Sequence, residues 1–346
     1  MIVAKAPYRI SFFGGGSDYP EWFNEHGGAF LSTAIDHFVF VSVRTKAPFT
    51  RNKYRILWRI VEEVENKADI QHPVVREALS LLDIKDCMDI TYFGDLPSGT
   101  GMGSSSSFTV ALLAALHASQ NSQPNDLELA NEAIKIEREK LNETVGIQDQ
   151  IAAAFGGFNH VTIQPGGKFS ITKVLLSSSR LKEFNDRLLL VYTGVTRHAS
   201  VVAKSKVSNF DKTEKSIQRL QEMVTEGHQI LEGNQNLDDF GKLLHEAWMQ
   251  KRGLASSVTN DSINNLYEHG LKHGALGGKL LGAGGGGFML FFVKEGMRSQ
   301  LQKQLNNYAI VPLNVAAPGV TVSMQDTNTH AAQYQQIWDK SQFSSE

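Results

Sequence analysis

The most restrictive feature of the chain is the run Asp95-Leu96-Pro97-Ser98-Gly99-Thr100-Gly101-Met102-Gly103-Ser104-Ser105-Ser106-Ser107. It lies between a short β-rich run, residues 88–93, and an apolar run of helical character, residues 108–119. Glycines let a backbone take positive φ and approach a ligand closely. The first N–H groups of the helix that follows have no intrahelical partner and sit at the positive end of its dipole. Strand, glycine loop, serines and helix in that order make a phosphate cradle, with hydroxyls as extra donors or as a magnesium ligand. Taken alone, such a stretch is more often a flexible loop capped by serines, so its meaning depends on the rest of the chain. It is not a Walker loop, because no Gly-Lys-Ser/Thr closes it.

Bulk properties narrow the field. With 346 residues the chain is too long for one compact core and suits two. A net charge of -2 gives no global basic field for nucleic acid or an anionic membrane. The single cysteine, Cys87, excludes an internal disulfide and a multi-cysteine zinc site, and fits a reducing cytoplasm. The N-terminus enters a strand-like pattern without a signal-peptide core, and no run nears the roughly 20 apolar residues of a membrane span. A cytoplasmic location is expected.

The coarse pattern is a strand over residues 2–13, a turn over 14–18 and a β-rich run over 38–43. Residues 60–82 carry apolar positions at helical spacing, broken at Pro73. A helix is expected over about 126–141, with Asn125 or Asp126 as its N-cap, and a shorter one near 147–155 that stops at Gly156-Gly157. Strands at 158–163, 169–174 and 187–192 surround a polar Ser177-Ser178-Ser179 run, which suggests a domain transition near 175–190. Helices over about 200–232 (one that can be broken) and 237–256 follow. Then come the glycine-rich residues 274–287, a strand at 288–293 and a helix near 295–307. The run at 282–287 is no Rossmann fingerprint, since a strand follows where a helix should begin. Strands and helices interleaved in both halves imply two α+β domains.

Three segments together resemble the kinases of galactose, homoserine, mevalonate and phosphomevalonate, the GHMP kinase family. They are Ala6-Pro7-Tyr8-Arg9-Ile10-Ser11-Phe12-Phe13-Gly14-Gly15-Gly16-Ser17-Asp18-Tyr19, then Pro97 through Ser106, then Lys279-Leu280-Leu281-Gly282-Ala283-Gly284-Gly285-Gly286-Gly287. They stand in the family's order and the resemblance spans nearly the whole chain. It implies an α+β, two-domain GHMP kinase fold. Residues 1–180 would form an N-terminal ribosomal-protein-like α/β domain with a left-handed crossover, which binds ATP. Residues 181–340 would form a ferredoxin-like C-terminal domain. ATP and Mg2+ are the implied cofactors, and a homodimer is compatible with the resemblance.

The same resemblance assigns roles residue by residue. Pro97, Ser98, Gly99, Thr100, Gly101, Met102, Gly103, Ser104, Ser105 and Ser106 would hold nucleotide, with the third segment packed beneath them as support. Asp149 looks like the catalytic aspartate that takes the acceptor's proton, where an isolated Asp would more often cap a helix. Arg9 would stabilise charge on the transferring group and keep that carboxylate ionised; its plainer reading is a surface arginine on an edge strand. Glu137 with Ser104 would bind magnesium, while Glu139, about 200° around a regular helix, faces solvent. Gly15, Gly16, Ser17 and Asp18 would receive the acceptor, although an Asp after glycines commonly bonds its own turn.

Within the family the first segment looks most like the branch acting on the anomeric hydroxyl of D-glycero-D-manno-heptose 7-phosphate, which serves nucleotide-activated heptose synthesis. Fucokinase-type enzymes come next. His72-Pro73-Val74-Val75-Arg76-Glu77-Ala78-Leu79 and Tyr192-Thr193-Gly194-Val195-Thr196-Arg197-His198-Ala199-Ser200 resemble the same branch. Thr196 and Arg197 are the expected contacts of the sugar's phosphate. The alternatives are another sugar-1-kinase, fucokinase- or galactokinase-like, and a non-catalytic sugar and ATP sensor on the same fold.

Overall fold

A computed structural model describes residues 1–46, 52–195, 199–233 and 235–325. The chain opens with strand β1 (Ile2–Phe13), helix α1 (Pro20–His26) and strand β2 (Gly28–Thr45). Strands β3 (Tyr54–Leu57) and β4 (Val61–Val64), helix α2 (Pro73–Leu81) and strand β5 (Met88–Gly94) follow. Next come helices α3 (Ser104–Ser119), α4 (Asp126–Ile134) and α5 (Gln148–Phe155), then strands β6 (Phe158–Ile163) and β7 (Phe169–Lys173). Helix α6 (Ser178–Asp186) leads to strand β8 (Leu188–Tyr192) and helices α7 (Ala199–Val207), α8 (Phe210–Glu232), α9 (Leu237–Arg252) and α10 (Asp261–Lys272). The described chain finishes with β9 (Ala275–Leu280), β10 (Phe288–Val293), α11 (Arg298–Gln304), β11 (Ile310–Val311) and β12 (Thr321–Gln325).

Among the described residues these strands form two sheets, as expected of a two-domain α+β fold. The larger runs β12-β1-β2-β5-β3-β4, with β6 added along the first part of β2 and β7 paired outside β6. Its pairs are antiparallel except β3 with β5. The smaller runs β11-β8-β10-β9, all antiparallel. Helix α3 is apolar from Phe108 to Leu116 except for Thr109 and is buried on every side, and it packs on β1, β2, α4 and α5. No helix of the described residues is long and apolar enough to cross a membrane.

The two sheets meet through an aromatic cluster. Phe12 of β1 stacks on Phe158 of β6 at 5.4 Å and meets Phe184 of α6 and Phe240 of α9 edge-on at 5.7 and 5.3 Å. Phe292 of β10 joins Phe184 and Phe240, each at 5.4 Å. These rings are fully buried. Such pairs contribute roughly 0.5–1.5 kcal/mol each beyond their buried area. The contact fixes how the smaller sheet sits beside the glycine turn that ends β1.

Some local expectations change. Residues 61–64 are strand, not helix: pairing with β3 decides the matter, and burial alternates along the strand with Glu62 inside and Val61 exposed. Buried Glu62 then accepts the indole N–H of Trp58 and the backbone N–H groups of Gln71 and His72 at the entry to α2. The serine run after Gly103 is the first turn of α3 rather than loop. Ser177 is the N-cap of α6, its hydroxyl accepting from Arg180 N–H at 3.2 Å. The long helical region after residue 199 is broken between α7 and α8.

Candidate active site

A single cavity of about 490 Å3 gathers the first glycine turn, the α3 N-terminus, the turn before α5 and the α7–α8 corner. Arg9 reaches it because β1 departs from regular pairing with β2 between Pro7 and Arg9. Such irregularities re-aim side chains near sites. Arg9 stands opposite Ala34 just past this shift, and its N–H turns away from β2 to donate to Met102 C=O at 3.1 Å, which ties the strand to the loop. The Arg9 guanidinium, 6% exposed, donates through Nε to Asp149 Oδ1 at 2.7 Å and through Nη2 to Oδ2 at 2.9 Å. Its Nη1 donates to Gly101 C=O at 2.6 Å. This planar fork is a geometry that arginine alone provides. Asp149 lies in the first turn of α5 and keeps 30% of its side chain open to the cavity. Arg9 and Asp149 are therefore one unit.

The loop approaches that unit closely. Gly99, Gly101 and Gly103 all have positive φ, and a Cβ at Gly103 would stand 3.4 Å from Asp149 Oδ2. The first i→i−4 bond of α3 is Ser107 N–H to Gly103 C=O, so the N–H groups of Ser104, Ser105 and Ser106 have no intrahelical acceptor. Gly99, Gly101, Gly103 and these three serines line the cavity. Thr100 and Met102 are buried in the fold instead, and Pro97 and Ser98 are not among the lining residues. Beneath the loop the third glycine run packs backbone on backbone: a Cβ at Gly101 would lie 2.6 Å from Leu281 C=O, and one at Gly287 2.2 Å from Thr100 C=O.

Glu137 occupies a π-helical turn, Lys135–Lys140, between α4 and α5, where Leu141 N–H bonds Ile136 C=O. Single π turns of this kind recur at functional sites. The carboxylate, 1% exposed, accepts from Thr109 Oγ1 at 2.8 Å, Ser106 Oγ at 2.9 Å and Gln150 Nε2 at 2.6 Å. Ser106, not Ser104, is thus the loop serine bonded to it in this state. Ser104 lines the same cavity beside it, and Glu139 is exposed. Burial pushes the Glu137 pKa up to about 7, against the three hydrogen bonds that favour its ionised form.

The donor set suits magnesium and a nucleotide. No group of three or more acidic, histidine or cysteine side chains among the described residues would cage an ion by itself. Magnesium needs only one or two carboxylates beside phosphate oxygens. Glu137 is a buried carboxylate with three neutral donors, an environment in which a dication would hold it ionised. The glycine cradle at α3 offers the backbone donors that phosphates require.

A pH dependence follows for the ligand-free chain. Raising the Glu137 pKa from 4.5 to about 7 means the folded state holds a proton that the unfolded state has lost. The stability this contributes is complete below the unfolded value and disappears as pH rises through the folded one. Denaturant titrations of the apo protein should show wild type losing roughly 3 kcal/mol more than E137Q between pH 4.5 and pH 8. Parallel pH profiles for the two proteins would contradict this account.

The first turn divides its labour. Gly15, Gly16 and Asp18 line the cavity. Asp18 Oδ1 accepts Gly16 N–H at 3.0 Å, and its C=O accepts Ile147 N–H at 3.0 Å, joining the turn to the start of α5. Ser17 departs from the expected substrate role. It is fully buried, and its hydroxyl donates toward Gly14 and Ala29 C=O and accepts from Ala29 N–H, so it shapes the turn. Thr196 and Arg197 lie outside the described residues. The segment before them is fastened to the third glycine run, with Thr193 N–H donating to Gly287 C=O at 2.9 Å and Gly287 N–H to Val195 C=O at 2.7 Å.

Residues not singled out from the sequence also meet here. Thr109 and Gln150 hold Glu137, and buried Gln148 lines the cavity with its Nε2 lacking a protein acceptor. Lys204 of α7 lines it too.

The comparisons agree with this construction. The profile of the GHMP kinases N terminal domain matches residues 56–157, and that of the GHMP kinases C terminal region matches residues 214–310. The chain is 27% identical over 316 residues to the D-glycero-alpha-D-manno-heptose 7-phosphate kinase of Campylobacter jejuni, covering 88% of this chain and 93% of that one. It is 28% identical over 333 residues to the bifunctional fucokinase/GDP-fucose pyrophosphorylase of Arabidopsis thaliana, covering 88% of this chain but 31% of that longer protein. A crystal structure of a D-glycero-D-manno-heptose 1-phosphate kinase from Bacteroides thetaiotaomicron superposes with a TM-score of 0.78 at 20% identity, covering 94% of this chain and all of the other. Lactococcus lactis galactokinase complexed with galactose gives 0.72 at 17% identity, covering 92% and 94%. At those identities the two structures speak for the fold alone. The chain belongs to the GHMP kinase family and is an ATP-dependent phosphotransferase with a hydroxyl group as acceptor.

Proposed function

We propose that this sugar kinase transfers the γ-phosphoryl group of ATP to the anomeric hydroxyl of D-glycero-D-manno-heptose 7-phosphate, giving the 1,7-bisphosphate. The observation that carries the chemistry is the Arg9–Asp149 fork facing the N-terminus of α3 across one cavity. The choice of sugar is supported by the likeness to the Campylobacter jejuni enzyme along most of both chains.

In this reading the N–H groups of Ser104–Ser106 hold phosphate oxygens and the glycines admit them closely. Glu137 and Ser104 would hold magnesium, which when bound neutralises phosphate charge. Asp18 and the Gly15–Gly16 backbone orient the sugar. The anomeric oxygen attacks the γ-phosphorus as the bond to the ADP oxygen breaks, and its proton passes to Asp149. Arg9 occupies one lone pair on each Asp149 oxygen, which leaves the outer pairs for the acceptor. An anomeric hydroxyl is more acidic than an ordinary alcohol, so orientation by Asp149 contributes as much as basicity.

The test is ATP turnover with heptose 7-phosphate, free heptose, L-fucose and D-galactose. Heptose 7-phosphate should exceed the free sugars by about a hundredfold or more in kcat/KM, the scale of a phosphate contact. Turnover of fucose or galactose alone would move the chain to another sugar-1-kinase class. Binding without transfer on every sugar would favour the sensor reading.

A further inference from the structure

Four carboxylates, Asp18, Glu137, Glu143 and Asp149, line the cavity, together with the cations Arg9, Lys204, Lys251 and Lys279. Three of those cations are engaged within the fold. Arg9 is forked on Asp149, Lys251 Nζ donates to Leu280 and Gly282 C=O at 2.6 Å each, and Lys279 Nζ donates to Phe12 C=O at 2.7 Å. Lys204 is different: its side chain is exposed, and among the described residues its ammonium makes no hydrogen bond or ion pair.

The chain that follows it packs on the turn that would receive the acceptor. Just beyond α7, Phe210 meets Tyr19 edge-on at 6.0 Å and Trp22 at 6.1 Å, and a Cβ at Gly16 would lie 3.8 Å from Ile217 of α8. The α7–α8 corner is therefore seated on the first glycine turn. Helix α7 contributes Ala203 and Lys204, and α8 Leu220, to the wall of the cavity that Asp18 also lines, while the serine N–H groups belong to α3. An anionic substituent on an acceptor bound beside Asp18, Glu143 and Asp149 would be repelled unless a cation met it.

We propose that Lys204 is a specificity-determining residue that recognises an anionic group, a phosphate monoester remote from the accepting hydroxyl, on the sugar substrate. This deepens the reading of the chain as a sugar-phosphate kinase and rests on it. A charged contact of this kind is lost whole when the ammonium is removed, and the loss falls on substrate binding.

The experiment compares wild type, K204A, K204E and K204R on three pairs: heptose 7-phosphate with free heptose, mannose 6-phosphate with mannose, and fructose 6-phosphate with fructose. For K204A the ratio of kcat/KM, phosphorylated over free, should fall by about tenfold to a hundredfold through KM. K204E should fall further and K204R should recover most of it. An unchanged ratio in K204A, or an equal loss on both members of each pair, overturns the role of Lys204 while the heptose 7-phosphate reading stands. A wild-type preference for a phosphorylated hexose over heptose 7-phosphate, abolished in K204A, keeps Lys204 and overturns the heptose assignment. A wild-type preference for free sugars overturns both.

Discussion

Asp149→Asn is expected to lower kcat by about a hundredfold to ten-thousandfold, the range for loss of a positioned general base, with ATP still bound. Asparagine keeps the shape but can offer only one oxygen, so Arg9 loses one arm of its fork and the charge that complements it. The loss falls on the reaction rather than the fold, because Asp149 is partly open to the cavity and its neighbours in α5 are held by buried apolar contacts. Calorimetric ATP titration beside single-turnover phosphoryl transfer separates the two effects. Wild-type transfer in the variant would remove Asp149 from the mechanism, and loss of ATP binding would make it part of the nucleotide site. R9K should follow the same direction, since an ammonium cannot reproduce the planar pair of donors.

The second large effect is expected from Gly282→Ala, at a cavity-lining position that carries no functional side chain. Gly282 has φ of 67°, which costs a non-glycine residue about 1–2 kcal/mol. A Cβ there would also stand 2.3 Å from the Gly101 Cα, a backbone atom that cannot yield unless the phosphate loop moves. Displacing Gly101 moves the carbonyl that accepts Arg9 Nη1 and tilts the cradle. The variant should melt several degrees lower, the shift that a few kcal/mol produces in a chain of this size. Its KM for ATP should rise about tenfold or more. An unchanged KM in a folded G282A protein would mean that the third glycine run supports stability without shaping the loop.

Much of this was legible in sequence because the residues involved carry strong local signals. The glycine-serine loop, the break at Pro73 (where α2 begins), the Asn125 cap and the stop at Gly156 each act over a few positions, and the structure keeps them. Arg9, Asp149 and Glu137 could be named only through the resemblance, since each is an ordinary charged residue until the fold brings it to the cavity. What escaped was set by partners distant in sequence. Residues 61–64 read as helix because their pairing with β3 cannot be seen in a short window. Helix α10 went unanticipated although Asn260 caps it and Ile263, Leu266, Tyr267 and Gly270 mark its buried face. Ser17 has the composition of a ligand-binding turn, and only its burial against Ala29 reveals a structural duty. The π turn at Glu137 has no sequence signature; three side-chain bonds from α3 and α5 accompany it.

Strand β1 carries Arg9, and its outer neighbour is β12, so that residue 2 lies opposite residue 325. While the chain is being synthesised, the Ile2–Lys5 stretch of that edge of β1 has no strand partner until the other described strands have emerged. At ~5–20 residues per second that interval lasts on the order of tens of seconds. Through it the nascent domain presents an open row of N–H and C=O groups, the kind of edge on which chains join one another. The strand that positions the catalytic pair is thus among the last to be sealed, and the yield of active enzyme should depend on how well the cell shields that edge during translation.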